Sequence, residues 1–209
     1  MSELFDQEYW DERYRSHTTL WSGEPNRYLV SEASELTPGT ALDVGCGEGA
    51  DAIWLAARGW RVTAVDLSAV ALERAAANAA ASGEDVAGRI DWRHADVTSW
   101  DSDERFDLVS TQYVHLPTGQ RQPLWQRLAA AVSPGGSLLI VGHHPSDLET
   151  TMRRPKHPEL LFTGADIVAT LEPASWQIVT DTAPERTATD PDGHPVTIRD
   201  TVFRAVRRD

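Results

Sequence analysis

The chain has 209 residues, 41% of them hydrophobic, a size and composition that suit one α/β unit with a sizeable core. A net charge of −13, with Lys156 the single lysine, argues against a polyanionic partner, because nucleic-acid binding draws on clustered Lys and Arg. Cys46 is the one cysteine, which excludes an intramolecular disulfide and a soft-metal cluster, so a secreted scaffold and a zinc site are not expected. The start, Met1-Ser2-Glu3-Leu4-Phe5-Asp6, is acidic without an apolar core, and no window approaches ~18 consecutive apolar residues. A cytoplasmic protein with no membrane partner is expected.

In chain order, an amphipathic helix is predicted over residues 6–15 and a second over 25–36, with Pro25 in its first turn. Together they form a helical cap, residues 1–36, on a single domain covering 1–209. Ala41-Leu42-Asp43-Val44 reads as a buried strand, and residues 51–57 have helical periodicity. Arg61-Val62-Thr63-Ala64-Val65 is a second strand, and Ser68 caps an alanine-rich helix running to about residue 82. A third strand is predicted over 89–96, a fourth over 106–111, a helix over 120–132 ended by Ser133-Pro134-Gly135-Gly136, and a buried fifth strand over 137–142. Residues 164–171 look helical. Two last strands, over 176–180 and 201–206, are separated by a long polar loop at 181–197. Strands alternating with helices predict a largely parallel sheet.

The most telling stretch is Asp43-Val44-Gly45-Cys46-Gly47-Glu48-Gly49. A buried strand runs into a turn with glycine at alternate positions and then into a helix, so a ligand can approach the backbone closely. The spacing is G-x-G-x-G and not the G-x-G-x-x-G of dinucleotide folds. Asp66 ends the next strand, 21 positions after Gly45, where a carboxylate can accept both hydroxyls of a ribose. Asp43 lies inside an apolar strand, where an unpaired carboxylate costs several kcal/mol, so it is expected to bond backbone or ligand groups.

With these residues in view, the chain resembles the class I S-adenosylmethionine-dependent methyltransferases, in particular the small-molecule branch with the tellurite-resistance and thiopurine methyltransferase-like enzymes. The resemblance runs through Tyr9-Trp10-Asp11-Glu12-Arg13-Tyr14, Trp21-Ser22-Gly23, the glycine turn, Asp66-Leu67-Ser68 and Asp200-Thr201-Val202-Phe203-Arg204-Ala205. It implies a Rossmann-like, seven-stranded sheet in the order 3-2-1-4-5-7-6, with strand seven antiparallel and hairpinned to strand six. It also implies S-adenosylmethionine as cofactor, with S-adenosylhomocysteine as its product form. By the same resemblance, Gly45, Cys46, Gly47 and Gly49 line the cofactor and Asp43 approaches its methionyl amine. Leu67 lies against adenine, and Asp96-Val97 meets the adenine edge. Trp21 forms an aromatic wall near the sulfonium, where cation–π attraction favours it.

The acceptor is expected at the carboxyl ends of strands four and five, where Gln112, Tyr113, His115, His143 and His144 converge. Gln112 is grouped with the cofactor; His115, His143 and Tyr113 are the catalytic candidates, with His115 the first choice of base. Arg13, Arg153 and Arg154 are candidates for an anionic acceptor. Thr111-Gln112-Tyr113-Val114 lacks the Asn/Asp-Pro-Pro-aromatic clamp for an exocyclic DNA amine. The expected acceptor is therefore a small molecule: a thiol, a chalcogen oxyanion, or an aromatic O or N nucleophile. No metal is expected. Monomer and homodimer stay open, and so do a nicotinamide oxidoreductase and a catalytically silent cofactor-binding module as alternatives.

Overall fold

The computed structural model describes residues 5–99, 103–154 and 157–208, so Met1–Leu4 of the expected cap and Pro155-Lys156 lie outside it. Eight strands form one sheet: β1 Thr40–Val44, β2 Arg61–Asp66, β3 Ile90–His94, β4 Phe106–Gln112, β5 Val132–His143, β6 Trp176–Thr182, β7 Glu185–Thr189 and β8 Pro195–Arg207. The hydrogen-bonded order is β3-β2-β1-β4-β5-β8-β6, with β7 paired to β8 off that path. Strands β1 to β5 are parallel, and β8 runs antiparallel to both β5 and β6.

The expected strand order therefore forms, with one strand more than expected. Residues 181–197 are not a loop. Glu185–Thr189 pairs with the first half of β8, from Glu185↔Arg199 to Thr189↔Pro195. Arg186 and Ala188 turn inward while Glu185, Thr187 and Thr189 face solvent, a period-two pattern that a Thr-rich segment supports. Asp190 closes this hairpin, its Oδ1 accepting from the Asp192 and His194 amides at 3.0 and 2.8 Å.

The helices are α1 Gln7–Arg15, α2 Arg27–Ala33, α3 Ala50–Ala57, α4 Ala69–Ala81, α5 Glu84–Ala87, α6 Thr118–Ala130 and α7 Gly164–Val168. Asp6 caps α1 and Ser68 caps α4. Helix α2 starts at Arg27 and not at Pro25, because the Asn26 side chain accepts from the Tyr28 and Leu29 amides and is the N-cap. The break expected at Ser133–Gly136 lies within β5: pairing with β4 jumps from Phe106↔Val132 to Leu108↔Ser137, so the glycines form a bulge. Helix α7 stops at Val168, and the Thr170 hydroxyl turns back to the Ile167 carbonyl at 2.7 Å.

Side chains alternate across the sheet into two cores. Leu42, Val44, Leu138, Ile140 and Phe203 join Leu124, Leu128 of α6 and Ile167 of α7 on one face. Ala41, Leu139, Val141 and Val202 join Leu29 of α2 and Leu55 of α3 on the other. With both faces covered, the open places for a ligand are the strand ends, and the switch in strand order falls between the paired strands β1 and β4. Among the described residues no helix is long and apolar enough to cross a membrane.

Candidate active site

The glycine turn between β1 and α3 has positive φ at all three glycines, +74° at Gly45, +54° at Gly47 and +85° at Gly49. Their surroundings differ. A Cβ on Gly49 would stand 2.6 Å from the Trp92 ring and 2.9 Å from Ala75, so this glycine lets β3 and α4 pack closely. A Cβ on Gly45 would meet Val114, which follows β4, at 2.4 Å. At Gly47 it would stand 3.0 Å from the Tyr14 hydroxyl and 3.5 Å from the Trp21 indole nitrogen, so Gly47 faces the N-terminal segment. The Gly45 and Cys46 amides bond the Val65 carbonyl at 2.8 and 3.1 Å, which ties the turn to β2. Cys46 is buried, and burial pushes its thiol up, away from reactivity.

Carboxylates crowd beneath this turn. Asp66, at the end of β2, accepts from the Gly47 amide through Oδ2 and the Ser68 amide through Oδ1, both at 2.8 Å, and burial still raises its carboxyl. Asp43 is 1% exposed, and its Oδ2 is without a hydrogen-bond partner. Burial, with Asp51 and Asp66 as like-charged neighbours, raises it well above the ordinary carboxylate range. Asp51, in the first turn of α3, accepts from the Asn26 amide at 2.6 Å, yet burial pushes it up to about 6. The cluster is electrostatically incomplete: it favours a ligand that brings positive charge and hydrogen-bond donors.

The N-terminal segment closes over the turn by named bonds. Glu48 Oε2 accepts from the Leu20 and Trp21 amides, each at 3.2 Å. Arg74 of α4 pairs with Glu48 Oε1 at 3.0 Å and donates to the Tyr14 and His17 carbonyls at 2.6 and 2.8 Å. The Ser68 hydroxyl meets Asp11 Oδ1 at 2.6 Å. Trp21 donates its indole N–H to the Tyr14 hydroxyl at 3.0 Å while staying 48% exposed. Arg13 is taken up by its own helix, near the Tyr9 hydroxyl and the Trp10 ring.

Further along the strand ends, Leu67 is half-buried and its carbonyl meets His94 Nε2 at 2.9 Å. Asp96 is exposed, with Oδ1 accepting from the Thr98 amide and hydroxyl at 2.8 and 2.7 Å, and Val97 beside it is buried. Gln112 ends β4, its Nε2 buried and unpartnered.

Past the switch the character changes. Tyr113 stands at φ +55°, a left-handed conformation unusual for a bulky side chain. Its ring lies 4.7 Å from that of His143, and the His115 and His143 rings are 5.0 Å apart. His115 Nε2 is buried without a partner, and burial, with His143 and Arg154 adding to it, pushes this imidazole down to about 3. His143 is lowered as well, by burial, against the opposing pull of Asp200. His144 lies outside this cluster and caps the next turn, its Nδ1 accepting from the Ser146 amide at 3.2 Å. Arg154 is not free to hold an anionic acceptor: Asp147, fully buried, holds it through Oδ2 at 2.7 Å.

The residue that sequence reasoning missed here is Asp200. It faces His143 across the β5–β8 ladder and is 0% exposed. Its carboxylate accepts from Arg186 Nε at 2.6 Å, the Tyr28 hydroxyl at 3.3 Å and His143 Nδ1 at 3.4 Å. Against the burial that would raise it, these partners hold Asp200 down at about 2. Its signals in the sequence were its place at the start of the C-terminal resembling piece and just before an apolar run, neither of which gave it a role.

Residues 41–136 match the model of a family described as a methyltransferase domain. The probable thiol methyltransferase 2 of Arabidopsis thaliana is 30% identical over 63% of this chain, and the chain spans 60% of its length. The N-methyltransferase NodS of Bradyrhizobium japonicum, solved with S-adenosyl-L-homocysteine, superposes with a TM-score of 0.72 at 17% identity, covering 98% of this chain and 100% of its own. TehB of Haemophilus influenzae gives 0.68 at 18% identity, covering 97% of this chain and 67% of its own. Residues 41–136 thus match the methyltransferase-domain family, and the chain has the Rossmann-like methyltransferase fold.

Proposed function

We propose that the protein transfers the methyl group of S-adenosylmethionine to a small-molecule nucleophile. The observation that carries this reading is the orphaned Asp43 oxygen, buried between Asp51 and Asp66 beneath a glycine turn. Such a cradle suits a ligand bearing an ammonium, a sulfonium and a ribose diol. Asp66 would hold the diol, the Asp43 side would take the ammonium, and Gly45, Cys46 and Gly47 would lie along the ligand. Leu67, Asp96, Val97 and Gln112 stand at the neighbouring strand ends, where the adenine edge would be read. S-adenosylmethionine would supply an electrophilic methyl carbon on a cationic sulfur.

The chain's own part is positioning. In-line displacement at carbon needs an aligned nucleophile and little water, which favours preorganised walls over elaborate catalytic groups. We propose that residues 1–36 act as a lid on the domain: Trp21 over Gly47 shields the sulfur, and Arg74 with Glu48 latches the segment shut. Tyr113, His115 and His143 form the acceptor wall and are the catalytic candidates. Both imidazoles are neutral at pH 7, so the wall can accept a proton from the acceptor but offers no cation to bind an anion.

Calorimetry with S-adenosylhomocysteine and with NAD tests the reading. Micromolar binding of the first, about −8 kcal/mol, with none of the second is the expected result. Binding of NAD alone would replace it with a nicotinamide reaction.

A further inference from the structure

We propose that Asp200 is a positioning residue that fixes His143 as a general base, and that the acceptor is correspondingly a small aromatic molecule that loses a hydroxyl or ring N–H proton on methylation. This rests on the methyl-transfer reading above and narrows its substrate class.

The geometry begins with strand register. His143 ends β5 and Asp200 lies directly opposite on antiparallel β8, so the ladder itself brings imidazole and carboxylate together. Asp200 is fully buried and anchored by Arg186 at 2.6 Å and Tyr28 at 3.3 Å, so it cannot swing away. A carboxylate only accepts, so the contact at 3.4 Å places the proton of a neutral His143 on Nδ1. Nε2 then carries the lone pair. The separation is at the long end for a hydrogen bond, as is common for a base before its substrate closes the site.

Around the His143–Asp200 pair, Asp200 of β8, Tyr113 and His115 of the segment after β4, and Asp147 and Arg154 of the segment after β5 act on His143, while Arg186 of β7 and Tyr28 of α2 hold Asp200. Burial and Arg154 keep the imidazole neutral, and Asp200 keeps its tautomer. Tyr113 and His115 pack their rings against His143 at 4.7 and 5.0 Å, so the surroundings of the base are aromatic, which favours an aromatic acceptor over an aliphatic one. A thiol needs no such apparatus, since it ionises readily and attacks unaided. A hydroxyl or ring N–H does need it.

The acceptor's O–H or N–H bond breaks and its proton passes to His143 Nε2. The electron pair left on oxygen or nitrogen forms the bond to the methyl carbon. The carbon–sulfur bond breaks with its pair retained by sulfur, which becomes a neutral thioether, and the imidazolium returns its proton to solvent.

The test has two arms. In the free protein, nitrogen NMR of labelled histidine should show His143 neutral at pH 7 with its proton on Nδ1, and Asp200→Asn should shift the population toward the Nε2–H form. With S-adenosylmethionine, 2-naphthol and 2-naphthalenethiol compare the same ring with two acceptor atoms. Asp200→Asn and His143→Gln, the second of which keeps Asp200 paired to Arg186, should each lower kcat on the naphthol ~10²-fold and on the thiol by less than about tenfold. The acid limb of the naphthol pH profile should vanish in His143→Gln. An unchanged tautomer in Asp200→Asn, equal losses on both acceptors, or a wild type that methylates thiols alone would overturn the inference. Wild-type binding of S-adenosylhomocysteine with any of those results leaves the methyltransferase reading standing; loss of that binding sinks both.

Discussion

The two halves of the site, on either side of the β1/β4 switch, are built from opposite electrostatics. On one side Asp43, Asp51 and Asp66 crowd together, each raised by burial, with one Asp43 oxygen unpartnered and no cation among their hydrogen-bond partners in the described residues. On the other, Asp200 is saturated with donors and sits at about 2, while the histidines around it are held neutral. An unfinished acidic cluster is the signature of a place that a cationic ligand completes. A finished carboxylate beside neutral imidazoles is that of machinery that handles a proton.

The sharpest way to break this contrast is at the turn. Gly47→Val adds bulk against Tyr14 at a φ of +54°, so S-adenosylhomocysteine binding should fall at least ~10²-fold, or ~2.7 kcal/mol, with a native far-UV spectrum. Retained affinity would show that the acidic half does not hold the cofactor. Asp66→Ala removes the acceptor for the Gly47 and Ser68 amides together with the proposed diol contact, and calorimetry should register a loss of about 1–3 kcal/mol.

A smaller effect comes from pH. Asp51 at about 6 is largely protonated at pH 5 and ionised at pH 7, so a cationic ligand should bind several-fold tighter at pH 7 and release a proton on binding near pH 6. Titrations in buffers of different ionisation heat measure that proton. For the free protein the sign reverses. A carboxyl raised from 3.8 to about 6 on folding stabilises below its ordinary range, and that contribution is lost as pH rises through 6. Melting temperature should therefore fall from pH 5 to 7 without ligand and hold or rise with it.

The least severe change expected is Arg74→Ala. It frees the Tyr14 and His17 carbonyls and unpairs Glu48, so hydrogen exchange over residues 7–21 should speed up and affinity should drop only a few-fold. In the wild type, exchange of residues 6–26 should slow when S-adenosylhomocysteine binds. Strong protection unchanged by ligand would make the segment ordinary packing.

Much of the fold could be read from the chain because its determinants are local. Strand-to-helix alternation, the Asp6 and Ser68 caps and the glycine turn each lie within a few residues of what they organise. The acidic half shares this property: Asp43 is the last residue but one of β1 and Asp66 ends β2, both beside the glycine turn. Asp51 was hidden by its place in a helical pattern. The other half was harder, because the Asp200–His143 pair spans 57 residues and depends on the register of an antiparallel ladder. Arg186 sat in a segment with no apolar alternation, which becomes a strand only because β8 is long enough to pair with it. Asp96 is the instructive intermediate: its position at a strand end was evident, but its side chain satisfies its own turn.

Tyr113 adds a constraint on how this protein can be altered. An L-residue held in the left-handed region costs the folded state roughly 1–2 kcal/mol, which glycine would not incur. Selection for heat resistance would tend to favour Gly or Asn at this position, relaxing the backbone while removing the ring that faces His143. Thermal robustness and the Tyr113–His143 ring contact thus pull in opposite directions at one residue, and a library screened on melting temperature alone would drift toward sturdy proteins that lack that contact.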